Sequence, residues 1–560
     1  MTTLSEYERA FQNMKMPPTQ YVMRYAGPMV AGGIVFSTLV MFLARSAIPL
    51  WLAPLVPLLI VGFTIIAAVM WPIAVTDRIR IEINDALPFF MTHFGVLSTS
   101  NMPRTEIFRI LGQKKEYKAL SEELNKIFSL VTNWNLSLPQ ACRFVSKTTP
   151  SQIFGDFLER LAHALETGQD LEIFLRNEQS VVMKEYSTVY ESSIYQVEQW
   201  KEIYASVVMS GVFLVIFAII APIISQGLKT KNLLFGLIVF FVLMEVLLMF
   251  VLKLRVPTDR LWHRLKIATP ERDRMQQVLL LSVGISFLLL VLAPQILPFP
   301  LGVNLAIAFT PLAAAGSFAS RVEKRVKRRE DNYSAFIRSL GASAAAKGGS
   351  LREVLRKVKV HNFGPLTAMV MNLYARLTWR LHDSKAWKQF SAESGSNLVD
   401  SFNDMFVEGI KTGGKPQAVG EIISDNVVRI MNLRKARYAT AGTFRGVLIG
   451  LTASMAFVMF TGVGIIDVLG NLFDTTSLQA STLQTNGQIP SPVRVQFDVN
   501  VGFIELLLLW LLMFHSFMAS AMLKMVDGGT MMAGLGTFVF MAWTSAILAI
   551  VSKTVMTKIF

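Results

Sequence analysis

Apolar runs about twenty positions long recur along the chain, which is the length a helix needs to cross the hydrocarbon core of a bilayer. Nine stand out, at 25–45, 50–75, 204–226, 232–252, 276–296, 299–319, 443–466, 501–523 and 531–552. Three pairs are divided only by "LARSAIPL", "SQGLKTKN" and "PQILPFPLG". Connections this short force antiparallel helical hairpins, and the prolines of the last one stop one helix and start the next. The pattern predicts an all-α, polytopic membrane protein. Polar segments of quite different texture lie between the runs, at 76–203, 253–275 and 320–442. In the first, "LSEELNKIFSLV" and "FGDFLERLAHALETG" carry apolar residues at i, i+3, i+4 and i+7, the stripe of a helix that faces a core. Strand alternation and hairpin signals are sparse. The first and third segments are therefore expected to be helical bundles, each of about 100 residues and able to hold a small core.

The two long polar segments also resemble each other at an offset of about 246 residues, and internal repeats of this kind fix an architecture before other features do. "YKALSEELNKIFSLVTNWNLSLPQACRFVS" meets "FGPLTAMVMNLYARLTWRLHDSKAWKQFSA", with Leu120 on Leu366, Ile127 on Leu373, Phe128 on Tyr374 and Phe144 on Phe390. Upstream, Gly95 falls on Gly341; downstream, Thr167-Gly168 falls near Thr412-Gly413. Each later Gly is expected to be a helix C-cap. The predicted order is a cytoplasmic segment at 1–24, a membrane hairpin at 25–75, a bundle at 76–203, four spans at 204–319, a second bundle at 320–442, and three spans at 443–560. A polar loop at 467–500, rich in Ser, Thr, Gln and Asn, reads as exposed and loosely ordered.

Composition agrees with the pattern. The chain has 560 residues, 52% of them hydrophobic, and a mean hydropathy of +0.45, too apolar for an ordinary soluble protein. The formal net charge is +15, and its distribution sets the orientation, since Lys and Arg are retained on the cytoplasmic side. Segment 253–275 carries seven basic residues against three acidic, and six basic residues crowd Arg321–Arg329. The N-terminus and both bundles are accordingly expected in the cytoplasm, with Arg321–Arg329 held at the anionic lipids of the inner leaflet. The polar N-terminus "MTTLSEYERAFQNMKMPPTQ" lacks the order of a cleavable signal and is expected in the mature chain.

Candidate chemistry is thin. Cys142 is the only cysteine, so no internal disulfide or cysteine metal site is possible, and the histidines form no ligand pattern. "KTGGKP" ends in Pro416, where a phosphate-binding loop needs Ser or Thr, and "GASAAAKGG" lacks the second Gly before its Lys. Asp467 has no second Asp in the setting of an intramembrane aspartyl protease. These features predict a protein that is not an enzyme and has no cofactor. Two acids fall inside apolar runs, where ionisable groups are costly. Glu505, near a run's end, can reach water, whereas Glu245 lies deeper and is the candidate intramembrane polar contact, with protein or with an incoming charged N-terminus. The second bundle is the more basic. Lys324, Arg325, Lys327, Arg328, Arg329, Arg352, Arg356, Lys357, Lys359, Lys411 and Lys415 read either as a solvated face beside an anionic membrane or as a docking face for an acidic partner. Nucleic acid is not expected, because no recognition motif or stacking platform accompanies the charge.

Tandem cytoplasmic helical bundles with Phe–Gly and Thr-Gly landmarks, set between membrane helices, resemble the type II secretion system F domain, and the duplicated form is similar to the archaeal platform proteins of that family. The resemblance covers nearly the whole chain. It implies a membrane platform for a type IV pilus-like filament, the archaellum ahead of adhesion pili or secretion. The partners it implies are a separate cytoplasmic hexameric ATPase and pilin-like subunits with an apolar N-terminal helix. A homodimer would match a hexameric ring through symmetric interfaces. The rival reading is a secondary transporter, whose sites use broken helices and midplane polar groups; here the visible repeat lies in the polar segments instead.

Overall fold

The structure is a computed structural model that describes residues 7–559 apart from 9, 12, 13, 15, 44–54, 225–229, 348–350, 380 and 485–500. Helical turns over Pro18–Ala26 lead into α1 (Gly27–Leu43). There follow α2 (Leu55–Ser98), α3 (Arg104–Gly112), α4 (Ala119–Asn133), α5 (Leu138–Thr148), α6 (Gln152–Glu166), α7 (Leu171–Ile224) and α8 (Thr230–Arg255). After an extended stretch come α9 (Pro270–Ile296), α10 (Leu301–Lys347), α11 (Leu351–Val358), α12 (Thr367–Thr378), α13 (Asp383–Ser394) and α14 (Asn397–Lys411). The chain ends in α15 (Pro416–Gln484), α16 (Val501–Asp527) and α17 (Met531–Ile559). Among the described residues there is no strand, only an isolated antiparallel bridge between Trp262 and Ser396.

Among the described residues, eight helices are long and apolar enough to cross a membrane: α2, α7, α8, α9, α10, α15, α16 and α17. They match eight of the nine apolar runs, and the ninth, 25–45, forms the 17-residue α1. The edges of the runs are not helix ends, however. α2, α7, α10 and α15 continue without a break from the apolar runs into the polar segments. Hydropathy changes at those points while the backbone hydrogen bonding does not, so a composition boundary is invisible to the helix. The loop expected at 467–500 is likewise helical through Gln484, and residues 485–500 lie outside the described residues. Its "LGNLFDTTSLQASTLQ" has no proline to break the helix and includes the helix formers Leu, Gln and Ala among its polar residues.

The helices of the two polar segments recur in the same order. At an offset of about 246 residues, α2–α7 fall on α10–α15 with ends that agree to within a few residues, except that α15 runs on past the end of α7. Both Thr-Gly landmarks terminate helices in the same way. Gly168 and Gly413 adopt φ of 73° and 83°, the left-handed conformation that a glycine enters without steric cost. Thr167 and Thr412 each donate their hydroxyl back to carbonyls of the preceding turn.

The chain divides into two compact units, each assembled from separated stretches. The first joins Met1–Thr188, Ser334–Val360 and Ser401–Arg429; the second joins Val189–Tyr333, His361–Asp400 and Ile430–Phe560. In the first unit, Phe90 meets Phe154 and Phe157 edge-to-face, with ring centres 5.9 Å apart in both pairs. Such pairs add about 0.5–1.5 kcal/mol beyond the area they bury. Ser151 accepts from the Phe154 amide to cap α6, and donates 2.6 Å to Asn84 on α2. Here α10 crosses α15 at a pair of glycines. A Cβ on Gly341 would lie 2.6 Å from the Pro416 carbonyl oxygen and 2.9 Å from the Gly420 Cα. In the second unit, a continuous apolar core gathers Tyr204, Val208, Phe241, Phe444, Leu448, Met459, Leu508, Leu512 and Met541. Its membrane helices α10 and α17 touch backbone to backbone, because a Cβ on Gly316 would fall 2.2 Å from the Gly536 nitrogen. Small residues at such crossings let helices approach where apolar burial gives no drive.

Gly341→Val is expected to lower stability by about 1–3 kcal/mol through overpacking, since the atoms it meets are backbone. Gly168→Val, with open space around it, is expected to act through the left-handed backbone alone, at about 1–2 kcal/mol. Thermal unfolding of the purified variants in lipid measures both.

Candidate functional site

The basic residues singled out in the sequence divide between the units. In the second unit, α10 presents Lys324, Arg325 and Arg328 to the outside, whereas Lys327 and Arg329 turn inward. Arg329 is 7% exposed. It donates to both oxygens of Glu271, at 2.9 and 3.1 Å, and to the carbonyls of Glu393 and Ser394. Arg325 approaches the same Glu271 at 3.7 Å. Lys327 donates 2.8 Å to Asp527 and lies over the Tyr438 ring. In the first unit, α11 buries Val354, Leu355 and Val358 and turns Arg352, Arg356 and Lys357 outward, with Lys359 half-buried just beyond it. Lys411 is exposed, and Lys415 donates 2.8 Å to Glu172. Periodicity separates the two kinds of residue. Arg329 is three and seven positions from Val326 and Val322, on the buried stripe of α10.

A second set of basic residues, on α15, forms the most heavily bonded polar site in the second unit. Arg434 is 1% exposed. It donates to both oxygens of Asp259 at 2.6 and 2.7 Å, to Glu330 at 2.7 Å and to the Arg260 carbonyl. Glu330 accepts in turn from Ser396, whose hydroxyl caps α14 at the Val399 amide. One turn on, Arg437 donates to the carbonyls of Val526, Met525 and Asp259. The carbonyls of Met525 and Val526 stand at the open end of α16, where backbone acceptors lack helical donors. Beside them, Glu323 accepts from Lys524 and from the amide and hydroxyl of Thr530 in the α16–α17 turn. Two arginines thus tie the 256–269 connection, α10, the α13–α14 junction and the α16–α17 turn to a single helix. Guanidinium suits this role because its planar fork serves several acceptors at once.

In the first unit, Glu408 of α14 is the corresponding acidic centre. Lys114 lies 2.7 Å from its Oε2 and the fully buried His93 lies 3.1 Å away, while Tyr117 bonds the other ring nitrogen of His93 at 2.8 Å. Burial alone would raise the Glu408 carboxyl, but the hydrogen bonding and charge supplied by His93 and Lys114 outweigh it and bring it down to about 2. Cys142 is buried, and burial pushes its thiol up to about 12, which leaves it unreactive.

Within the apolar runs, Glu245 is fully buried and paired through Oε1 with Nδ1 of His515, itself fully buried. Glu505 accepts from Lys553 at 2.5 Å, and Asp467 lies 3.3 Å from the same ammonium. Sequence reasoning did not single out His515, Asp259, Glu330 or Arg437 as members of a site. The signal for His515 was present, since "LLMFHSFMAS" sets one ionisable group in an apolar run. Asp259 and Glu330 carry no such mark. No group of three or more His, Cys, Asp or Glu able to hold a metal occurs among the described residues. The site's polar groups bond one another and the backbone of the elements they join.

The family model described as "Type II secretion system (T2SS), protein F" matches residues 90–219. "Flagella accessory protein J" of Methanococcus voltae is 33% identical over 550 residues, covering 96% of this chain and 96% of that protein. The protein of the same description from Methanocaldococcus jannaschii is 33% identical over 557 residues, covering 97% and 96%. No solved structure matches.

Arg434→Met is expected to cost about 3–5 kcal/mol, because it strands the Glu330 and Asp259 carboxylates. Adding Glu330→Gln should return part of that loss, as read by unfolding of the full chain. The Glu408 contribution has the opposite reach from a basic group's. It is complete above the usual carboxylate range of about 4.3 and is lost as pH falls through about 2, so Glu408→Gln should flatten the acid limb of the stability profile.

Proposed function

The chain belongs to the Flagella accessory protein J family, archaellum platform proteins that carry the type II secretion system protein F domain, and from that premise we propose that it couples a cytoplasmic hexameric ATPase to the assembly of pilin-like subunits. It is a multi-pass, non-enzymatic component of the cell membrane. What supports the coupling is the continuity of α2, α7, α10 and α15, each a single helix with an apolar membrane-length portion and a polar one. A hydrogen-bonded helix resists axial compression, so a push or twist on the polar portion reaches the membrane portion along the same backbone. The N-terminus and both repeated polar segments, 76–203 and 320–442, face the cytoplasm in this reading, on the strength of the Lys/Arg bias. Lys324, Arg325 and Arg328 meet anionic lipid headgroups, worth about 1 kcal/mol per basic residue near the surface. The ATPase docks on the outward face of α11, through Arg352 and Arg356 with Lys357 and Lys359 beside them, supported by Lys411. A homodimeric platform would match the symmetry of the ring, which would drive filament assembly or rotation through it.

Co-purification of the full-length protein with its ATPase tests the docking. Arg352→Glu with Arg356→Glu should weaken binding at least about tenfold, equivalent to 1.4 kcal/mol, and salt should weaken the unaltered pair. Binding indifferent to both removes α11 from the mechanism. Reporter tags within 76–203 and 320–442 should both report the cytoplasmic face, and tags on opposite faces would overturn the orientation.

A further inference from the structure

In the second unit, α9 and α10 are joined through 297–300 as an antiparallel hairpin, and the polar ends of both lie opposite that turn. There Glu271 of α9 accepts from Arg329 of α10 and lies 3.7 Å from Arg325. One turn nearer the apolar portions, the next residues on these facing sides are Arg274, three positions after Glu271, and Arg321, four before Arg325. Met275 and Ala319, close to them in the chain, already belong to an apolar cluster with Ala533. The two arginines therefore stand where the polar part of the hairpin meets its membrane part. Both are exposed. Helical phase puts them on the same flank of the seam. Met275, Ser282, Ser286 and Ala293, the buried stripe of α9, lie on the far side of Glu271 from Arg274. Val322, Val326 and Arg329, on the buried stripe of α10, lie on the far side of Arg325 from Arg321.

Neither Arg274 nor Arg321 forms an ion pair among the described residues, and the nearby carboxylate is taken, since Glu271 serves Arg325 and Arg329. Two guanidinium groups on one flank with no acid between them repel, and an anion that binds both removes the repulsion. Phosphate suits the position, because each planar fork can donate to two of its oxygens. Toward the membrane the flank turns apolar. α9 presents Leu281 and Ile285, 67% and 49% exposed, seven and eleven positions after Arg274. α10 presents the exposed methyl of Ala314, seven before Arg321. A free phosphate would leave that strip bare, whereas an anionic head carrying acyl chains matches the arginines and the strip together.

We propose that the α9–α10 seam binds one anionic phospholipid, its phosphate held between Arg274 and Arg321 and an acyl chain laid along Leu281, Ile285 and Ala314. The site deepens, and rests on, the reading that sets this end of α10 among lipid headgroups. Diffuse attraction to a charged surface acts on every exposed cation alike. A site retains one lipid and depends on two residues.

Native mass spectrometry of the full-length protein, released from nanodiscs of equal parts phosphatidylglycerol and phosphatidylcholine, counts the lipids retained. The unaltered protein should keep one phosphatidylglycerol per chain with a preference of about tenfold or more. Arg274→Gln with Arg321→Gln should bring that preference to within about twofold. Arg104→Gln with Lys115→Gln removes the same charge from exposed positions of the first polar segment and should leave it intact. Added inorganic phosphate should not displace the lipid. A preference that survives loss of Arg274 and Arg321, or that both double variants lose equally, would overturn the site and leave the headgroup reading standing. No preference in the unaltered protein would overturn both. Displacement by phosphate alone would make this a site for a soluble anion and overturn the lipid assignment. Should the Arg274 and Arg321 double variant fail to fold, Arg321→Gln alone is decisive, and retention equal to the unaltered protein's would overturn the proposal.

Discussion

The buried guanidinium of Arg434 is the constraint on which the second unit depends. Asp259 belongs to a connection between two membrane helices, and Glu330 to a third helix; in a low-dielectric interior neither carboxylate is tolerable without a counter-charge. Arg434 supplies it to both while Arg437 fills the acceptors at the end of α16. Apolar packing is non-directional and would allow these elements many arrangements. Ionic hydrogen bonds with fixed geometry allow few, so the polar site selects one arrangement among those that the apolar core permits.

The repeat has a physical reading as well. Six helices occur twice in the same order, yet the compact units do not follow the copies. Residues 334–360 and 401–429 of the later copy pack in the unit that holds the whole of the earlier polar segment up to Thr188, and residues 361–400 pack in the other. Contacts such as Asn426 with Thr92, 2.8 Å apart and both buried, join residues more than three hundred positions apart. A duplicated segment whose helices are shared in this way contributes surface to two cores, so its substitutions are constrained from both.

Much of the architecture was legible because bilayer thickness imposes a length on apolar runs, and eight of nine runs coincide with membrane-length helices. The C-caps at Gly168 and Gly413 were legible because a left-handed residue demands glycine. Two things were not. Helix continuity through the ends of the runs was hidden, since residues such as Arg78, Glu82 and Arg325 sustain a helix as well as their apolar neighbours do. The polar site was hidden because its members, Asp259, Glu330, Arg434 and Arg437, span nearly two hundred positions, and a basic cluster in sequence does not say which members face inward. Helical phase separates Arg329 from Arg328, but the partner Glu271 becomes visible only in three dimensions.

The glycine contact between α10 and α17 carries its own consequence. With Gly316 and Gly536 in backbone contact, the two membrane helices have no side-chain layer to act as a lubricant at that point. Sliding one past the other would bring Ser317 or Leu535 into a space that does not hold a methyl group. Axial displacement of α10 against α17 is therefore resisted at this point by the backbones themselves.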